Sequence, residues 1–188
     1  NETRINIGSE DDAFSGVAGI YYNHVTSEDL LYTRGVSHFD DTKDSLGLFS
    51  EATWRFAEQW SLSAGLRYQY DRVQRSGTSS FSKQALDFDE SFNALLPKIS
   101  LAYDITPDVT VGALVNRGYN PGGAGLSFVT GQYYSFNPET LWNYELFTRI
   151  RTLDDRLTVN ANVFYTQHKN SQRVGPDYLN GVLFGRIV

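Results

Sequence analysis

The sequence of 188 residues contains no cysteine, no methionine and no long apolar run. The absence of cysteine excludes disulfide bonds, thiolate metal ligands and cysteine nucleophiles. No stretch approaches the roughly 18 consecutive apolar residues of a transmembrane helix. No basic cluster offsets the net charge of -6, so a nucleic-acid partner is not expected. Without a starting methionine, and with a polar segment 1–12 where a signal sequence would lie, the natural beginning of the chain is expected to be missing.

What the sequence has in abundance is aromatic residues, which make up 14% of the chain with 12 Tyr, 12 Phe and 3 Trp. The hydrophobic fraction of 40% and the mean hydropathy of -0.38 resemble those of a water-soluble domain. A transmembrane β-barrel has the same averages, because half of each strand is polar, and it concentrates aromatic side chains in belts at the two membrane surfaces.

Residues 61–71 alternate strictly between apolar and polar side chains. One side of the predicted strand carries Leu62, Ala64, Leu66, Tyr68 and Tyr70. The other carries Ser63, Gly65, Arg67, Gln69 and Asp71. A tilted strand needs roughly 9 to 11 residues to cross the hydrocarbon layer, so this segment has the length and pattern of a membrane-spanning β-strand.

The same two-residue period recurs along the chain and predicts about eight strands. They are expected at 15–26, 43–57, 61–73, 90–104, 109–118, 139–152, 156–168 and 181–188. The intervening connections alternate between short ones, at 57–60, 104–108 and 152–155, and long ones, at 27–42, 74–89, 118–138 and 169–180. Tight periplasmic turns and long outer loops are typical of outer-membrane barrels.

The basic residues indicate which face points away from lipid. A Lys or Arg in mid-membrane lipid costs roughly 2 to 4 kcal/mol, so these side chains are expected inside the barrel or near a membrane surface. They are Arg55, Arg67, Lys98, Arg149 and Arg151, all on the polar side of their strands. Four apolar residues share the predicted inward face, namely Phe49, Leu114, Phe147 and Phe164. A water-soluble antiparallel sheet with one packed face is the alternative, but its wet face is usually richer in Lys and Glu.

Several stretches carry a resemblance to a known protein family. The most specific is PETLWNYEL within FNPETLWNYELFTRIR from Phe136. The others are RGYNPGG from Arg117, LDDRLTVNANVFYTQHKNSQR from Leu153, LFSEATWRF from Leu48, LSAGLRYQYDR from Leu62 and LLPKISLAYDITPDVTV from Leu95. Together these stretches resemble the C-terminal half of the barrel of TonB-dependent outer-membrane receptors. The family commonly has Gly after Tyr-Glu-Leu, where this chain has Phe147.

This resemblance implies an all-β fold, an antiparallel transmembrane barrel segment of about eight strands within a barrel of about 22. It implies a bacterial outer-membrane protein, not an enzyme, that takes up a ferric siderophore or another scarce nutrient. Its partners would be outer-membrane lipid, the small ligand and the energy-coupling protein TonB. Residues 1–188 are expected to form a partial barrel domain without the plug that closes such barrels, and the first and last predicted strands are not expected to pair. A small passive or structural barrel, and an outer-membrane enzyme, are the alternative functions.

Candidate ligand-binding residues lie in and after the RGYNPGG stretch. Its glycines are expected to allow a sharp loop exit with positive φ angles, and Asn120 tolerates the same region. The candidates are Arg117, Tyr119 and Asn120 at the barrel opening, with Tyr133, Tyr134, Phe136 and Arg173 in the long loops. Loops on a rigid scaffold commonly bind ligands, although the glycines are also ordinary strand terminators.

Inside the predicted lumen, Arg67, Glu145 and Arg149 are candidates for a charge network, in which Glu145 has a structural role or contacts ligand. His38 and its acidic neighbours Asp40, Asp41 and Asp44 resemble a solvated acidic loop more than a cation site, so no metal and no cofactor are predicted. The chain has no G-x-S-x-G motif to support a serine hydrolase.

Overall fold

The fold is known from a computed structural model, which describes residues 1–9, 12–32, 35–80, 82–152 and 156–187. Every regular element in these ranges is a β-strand. No helix among them has the length and apolar character to span a bilayer. The all-β prediction is therefore confirmed.

Eight strands form one antiparallel sheet, and four more form two separate hairpins. The sheet consists, in spatial order, of β1 (Glu2–Ile7), β2 (Phe14–Tyr32), β3 (Val36–Ala57), β4 (Trp60–Thr78), β5 (Leu86–Thr106), β6 (Val109–Asn120), β9 (Glu139–Thr152) and β10 (Leu157–Lys169). The hairpins are β7 (Gly123–Ser127) with β8 (Gln132–Phe136), and β11 (Val174–Leu179) with β12 (Val182–Ile187). Strand neighbours in the sheet are neighbours in sequence except for β6 and β9, which flank the β7–β8 hairpin.

The strand predicted at 181–188 is present as β12, but it pairs with β11 and does not join the eight-stranded sheet. The edge strand at 2–7, which pairs with β2, was not predicted. The first predicted strand, 15–26, lies in β2 and pairs with β1 and β3, so the expectation that it does not pair with the last predicted strand is confirmed. The prediction 139–152 agrees with β9 at both ends.

The predicted long loops at 27–42 and 74–89 were also wrong, since most of both segments is strand. The pairing of β2 with β3 reaches Tyr32 and Val36 at the loop end of these strands. The pairing of β4 with β5 reaches Gly77 and Leu86. These segments were predicted as loops because they lie between the spans with a two-residue period. Cross-strand ion pairs, such as Arg75 with Asp41, hold their charged residues in strands that extend into an extracellular wall.

The apolar and polar faces agree with the predicted alternation. Leu66, Ile99, Leu146 and Val163 are exposed on the face that meets lipid, and Val163 is 75% exposed. Arg67 and Asn162 lie on the opposite face, where they make polar contacts with Gln69 and Glu145. The membrane assignment requires this segregation, because the same exposed apolar surface would be unfavourable in water.

Two aromatic belts mark the membrane surfaces. Near the two-residue turns, the rings of Trp54, Phe56, Trp60 and Tyr103 follow one another with centroid distances of 5.5, 6.3 and 4.6 Å. Towards the other end, Tyr144 stacks on Tyr165 at 6.4 Å on the same face. Amphipathic rings favour the two interfaces of a bilayer, so the strand extensions beyond the second belt lie outside the membrane.

Two of the three inward-facing rings that interrupt the alternation lie over glycines of neighbouring strands, and the third, Phe164, is exposed. Phe147 fills the space where a side chain at Gly112 would lie, and Phe49 does the same at Gly19. Phe147, at the position where the family usually has glycine, is accommodated because β6 has the glycine instead.

Candidate functional site

The β7–β8 hairpin packs on the inner face of the extracellular wall. Phe39, Leu86, Phe88 and Ala124 form a buried apolar cluster, and Tyr133 packs against it. The ring of Tyr133 meets that of Phe39 edge-on at 6.3 Å. These residues come from β3, β5, β7 and β8, and their burial holds the hairpin inside the barrel mouth.

A cleft of about 340 Å³ lies between this wall and the chain that leads into the hairpin. Its lining residues are Asp41, Lys43, Val73, Arg75, Asn120, Pro121, Gly122, Gly123, Ala124, Phe136 and Gln172. The cleft combines charged groups on β3 and β4 with the backbone of the glycine-rich stretch after β6. It is the candidate ligand site.

Gly122 is needed here for close approach and not for an unusual backbone conformation. A Cβ atom at Gly122 would lie 2.5 Å from the carbonyl oxygen of Phe136 and 2.8 Å from the Phe92 ring. The expectation of positive φ angles was wrong, because Gly118, Gly122 and Gly123 are not among the positive-φ glycines of the described residues.

Arg75 is the central cation of the cleft. Its guanidinium lies 3.2 Å from the Asp29 carboxylate, 3.4 Å from that of Asp41, and 5.0 Å from the centroid of the Phe39 ring. Burial raises the pKa of the Asp41 carboxyl, and the charge of Arg75 only partly opposes this. The guanidinium is thus held in place at the cleft wall.

A second charged group lies below Arg75, around the buried carboxylate of Asp71. Asp71 accepts hydrogen bonds from Ser45 at 2.5 Å and Gln69 at 3.2 Å, and Lys43 lies 3.7 Å away. Burial raises the pKa of the Tyr119 phenol, and the Asp71 carboxylate beside it acts in the same direction. Tyr119 therefore stays neutral at the base of the site.

Four hydrogen-bonded polar residues lie on the opposite side of the cleft. This group, here called the polar latch, consists of Asn120, Glu139, His168 and Gln172. The Glu139 carboxylate lies 2.6 Å from Nδ1 of His168 and accepts a hydrogen bond from the Asn120 amide at 3.3 Å. The Gln172 side chain donates to the carbonyl oxygen of Pro121 at 2.8 Å. The latch therefore connects β6, β9 and β10 to the cleft backbone.

The latch is expected to weaken in acid. Burial alone would raise the pKa of the Glu139 carboxyl, but hydrogen bonds from His168, Asn120 and the Gln172 backbone outweigh burial and lower it below the usual 4.5. A lowered carboxyl pKa stabilises the fold above pH 4.5, and this contribution is lost as the pH falls through the lowered value. Glu139→Gln should cost about 1 to 3 kcal/mol at about pH 5.5, and the difference should shrink by about pH 3.5.

Unfolding free energies of the natural protein and the Glu139→Gln variant, measured at both pH values, check this expectation. Glu145→Gln is the matched control, since the half-buried Glu145 has a hydrogen bond from Asn162 at 3.0 Å but no histidine partner among the described residues. A Glu139→Gln cost that persists unchanged at the lower pH would contradict the role assigned to the carboxylate.

The structure brings some of the predicted ligand residues together and separates others. Asn120 and Phe136 line the cleft, and Tyr133 packs beside it in the apolar cluster. Tyr134 accepts a hydrogen bond from the backbone NH of Ile187 at 2.9 Å, which ties the two hairpins together. Arg117 and Arg173 lie elsewhere, in a groove on the outer face of the sheet.

The three residues suggested for a lumen charge network are not joined by any ion pair in the described ranges. Arg67 contacts Gln69 at 2.8 Å and lies 5.5 Å from the centroid of the Tyr21 ring. Glu145 bonds to Asn162. The ion pair that crosses the lumen wall is Lys98 with Glu51 at 3.0 Å.

Sequence reasoning missed Asp41, Lys43, Arg75 and Gln172. Asp41 and Arg75 lie in the predicted connections 27–42 and 74–89, and Lys43 is the first residue of the predicted strand 43–57. The signal was present, because Phe39, Asp41, Lys43 and Ser45 continue the odd-numbered inward face of β3, as Asp71, Val73 and Arg75 continue that of β4.

A polar lumen face, two aromatic belts and an extracellular wall with an inward-folded hairpin define this chain as a wall segment of an outer-membrane β-barrel. A family model described as TonB dependent receptor-like, beta-barrel, matches residues 3–184, and the chain belongs to that family.

Curated relatives include the pesticin receptor of Yersinia pestis, 31% identical over 137 residues, which cover 70% of this chain and 20% of the relative. The metal-pseudopaline receptor CntO of Pseudomonas aeruginosa is 24% identical over 71% of this chain and 18% of its own length. The chain thus spans about a fifth of the curated relatives it matches. These relatives are receptors, in agreement with the prediction that the chain is not an enzyme.

Solved structures show the same fold. The ferric yersiniabactin uptake receptor FyuA of Yersinia pestis matches with a TM-score of 0.77 and 25% identity, over 91% of this chain and 28% of that one. The alcaligin outer-membrane receptor FauA of Bordetella pertussis matches with a TM-score of 0.70 and 19% identity, over 99% of this chain and 32% of that one.

Proposed function

We propose that this chain is part of the barrel wall of a receptor that takes up a ferric siderophore or a similar scarce nutrient, energised through TonB. A plug domain outside residues 1–188 would complete it. The observation that supports this most is the cleft inside the extracellular mouth, with Arg75 fixed at its wall. The similarity to FyuA, the ferric yersiniabactin uptake receptor of Yersinia pestis, supports the class of ligand.

The cleft has the features of a small-ligand site. Small-molecule sites combine apolar walls with a few placed polar groups. Here Phe136 and Val73 supply apolar surface, Asn120 and Gln172 supply amides, and Arg75 supplies a cation for an anionic or carbonyl-bearing chelate.

The test uses the natural full-length protein that contains this chain, with ferric yersiniabactin, a ferric catecholate and ferric alcaligin as probes. Arg75→Gln should lower affinity and uptake of the accepted chelate about tenfold, because a hydrogen bond to a charged group is worth about 1.5 to 3 kcal/mol. Arg72→Gln is the matched control. Arg72 is three residues away on the outer face of β4, where Asp89 pairs with it at 2.6 Å.

Dissipating the inner-membrane potential should abolish uptake but leave binding unchanged. Uptake that persists without the potential would favour the passive barrel instead. If Arg75→Gln and Arg72→Gln lowered chelate affinity equally, the proposal that the cleft binds the chelate would be wrong.

A further inference from the structure

The outer face of the sheet carries a polar groove of about 870 Å³ at the extracellular ends of β6, β9 and β10. Its lining residues are Arg117, Thr140, Trp142, Tyr165, Thr166, Gln167, His168, Lys169, Ser171 and Arg173. Arg117 is paired in register with Trp142, and Lys169 with Thr140. These positions continue the face of Leu146 and Val163, so the groove is outside the barrel and separate from the cleft.

The groove lies at the level of lipid headgroups. Tyr165 and Trp142 form its lower part, and Tyr165 belongs to the extracellular aromatic belt through its stacking on Tyr144. Arg117, Lys169 and Arg173 lie at or above this belt. Aromatic belts mark the boundary between acyl chains and headgroups, and cations just beyond them meet headgroup phosphates.

The charges in the groove are of one sign, which is unusual for a chain with a net charge of -6. No carboxylate is among the groove's lining residues within the described chain. The same outer face at β2 to β5 is different, because there His38 lies 2.9 Å from Glu28 and Arg72 is paired with Asp89. Basic charge on the described outer face is therefore left without a carboxylate at one place along the wall.

Arg117 supplies a second, independent observation. Its Nε atom is buried and has no hydrogen-bond partner in the part of the chain that the structure describes. Its Nη1 atom makes a long hydrogen bond of 3.4 Å to the carbonyl oxygen of Leu95. An unsatisfied buried guanidinium nitrogen is costly, and a phosphate oxygen would satisfy it.

We propose that this groove binds the phosphorylated headgroup of a lipid in the outer leaflet of the membrane, with Arg117, Lys169 and Arg173 on the phosphate and Trp142 and Tyr165 against the glycerol or sugar. Acyl chains of the same lipid would lie along the exposed apolar face below. A bound lipid would hold the ends of β9 and β10 beside the latch, where His168 contributes to both sites.

The experiment uses the natural full-length protein in phosphatidylcholine nanodiscs, with a fluorescent bisphosphorylated glycolipid as the probe. Each cation near the surface contributes roughly fivefold in affinity. Lys169→Gln with Arg173→Gln should therefore weaken binding roughly 25-fold, and adding Arg117→Gln should weaken it on the order of a hundredfold. Arg72→Gln, on the same outer face but already paired, should change binding less than about twofold.

Two further arms identify the source of the phosphate. The dephosphorylated glycolipid should bind as weakly as the triple variant, and millimolar inorganic phosphate should not displace the glycolipid. Displacement by inorganic phosphate would overturn the lipid assignment in favour of a free anion. The two residues of the double variant lie at or beyond the end of β10, so their replacement leaves the barrel strands intact. Unchanged binding in this variant would overturn the proposal that the groove binds the lipid.

Discussion

Val163→Arg should prevent stable insertion of the barrel. Val163 is 75% exposed near the middle of β10, on the face that meets acyl chains, and its neighbours across the strands include Leu146. An Arg at the bilayer midplane costs roughly 2 to 4 kcal/mol, because the charge leaves water without a partner. The measurement is the free energy of unfolding of the natural protein in lipid vesicles, together with its yield in the outer membrane.

Asn162→Arg is the matched control, one residue away and on the opposite face. Asn162 lies in the lumen, where its amide donates to Glu145 at 3.0 Å, so an Arg there gains a carboxylate partner and stays hydrated. We expect it to change the unfolding free energy by less than about 1 kcal/mol. If both variants were equally destabilised, or if only Asn162→Arg were, the two faces would have to be exchanged.

Phe39→Ala should release the β7–β8 hairpin from the barrel mouth. The Phe39 ring is 2% exposed, is the most deeply buried side chain of the apolar cluster, and contacts both Tyr133 and the Arg75 guanidinium. Truncating a buried Phe costs about 3 to 5 kcal/mol, from lost burial and the cavity left behind. Since the cluster lies outside the membrane, we expect this cost to appear as local opening of the hairpin and not as loss of the barrel.

Hydrogen exchange of backbone amides in 123–136 measures this opening and should accelerate by about two to three and a half orders of magnitude, at about 1.4 kcal/mol for each factor of ten. Phe14→Ala is the control, because Phe14 is 55% exposed at the periplasmic end of β2, far from the hairpin. Binding of the accepted chelate should fall with Phe39→Ala, since the cleft shares Ala124 with the cluster. Unchanged exchange in 123–136 would show that other contacts hold the hairpin.

The outcome at β3 and β4 explains where sequence reasoning succeeded and where it failed. Within the membrane, the lipid face must be apolar at every second residue, so 61–71 could be assigned without a structure. Beyond the aromatic belt both faces meet water, and this constraint disappears. Asp41 and Arg75 were therefore placed in predicted connections, although cross-strand pairing holds them in extended strands.

Arg117 is a second example of what sequence reasoning could not decide. Its position in RGYNPGG predicted a place at the barrel opening, but the sequence did not decide which surface it meets. The register of β6 against β9 places Arg117 beside Trp142 on the outer face, away from the cleft that Asn120 lines.

The alternation of side chains by itself determined the all-β fold, the membrane-facing surface and the approximate number of strands. The reason is that each side chain in a membrane-spanning strand faces either lipid or the polar lumen. Only the tertiary structure decided which strands form the sheet, how the β7–β8 hairpin folds inward, and which charges meet in the cleft. These features depend on contacts between residues distant in sequence, such as Phe39 with Tyr133 and Glu139 with His168, and no local period encodes them.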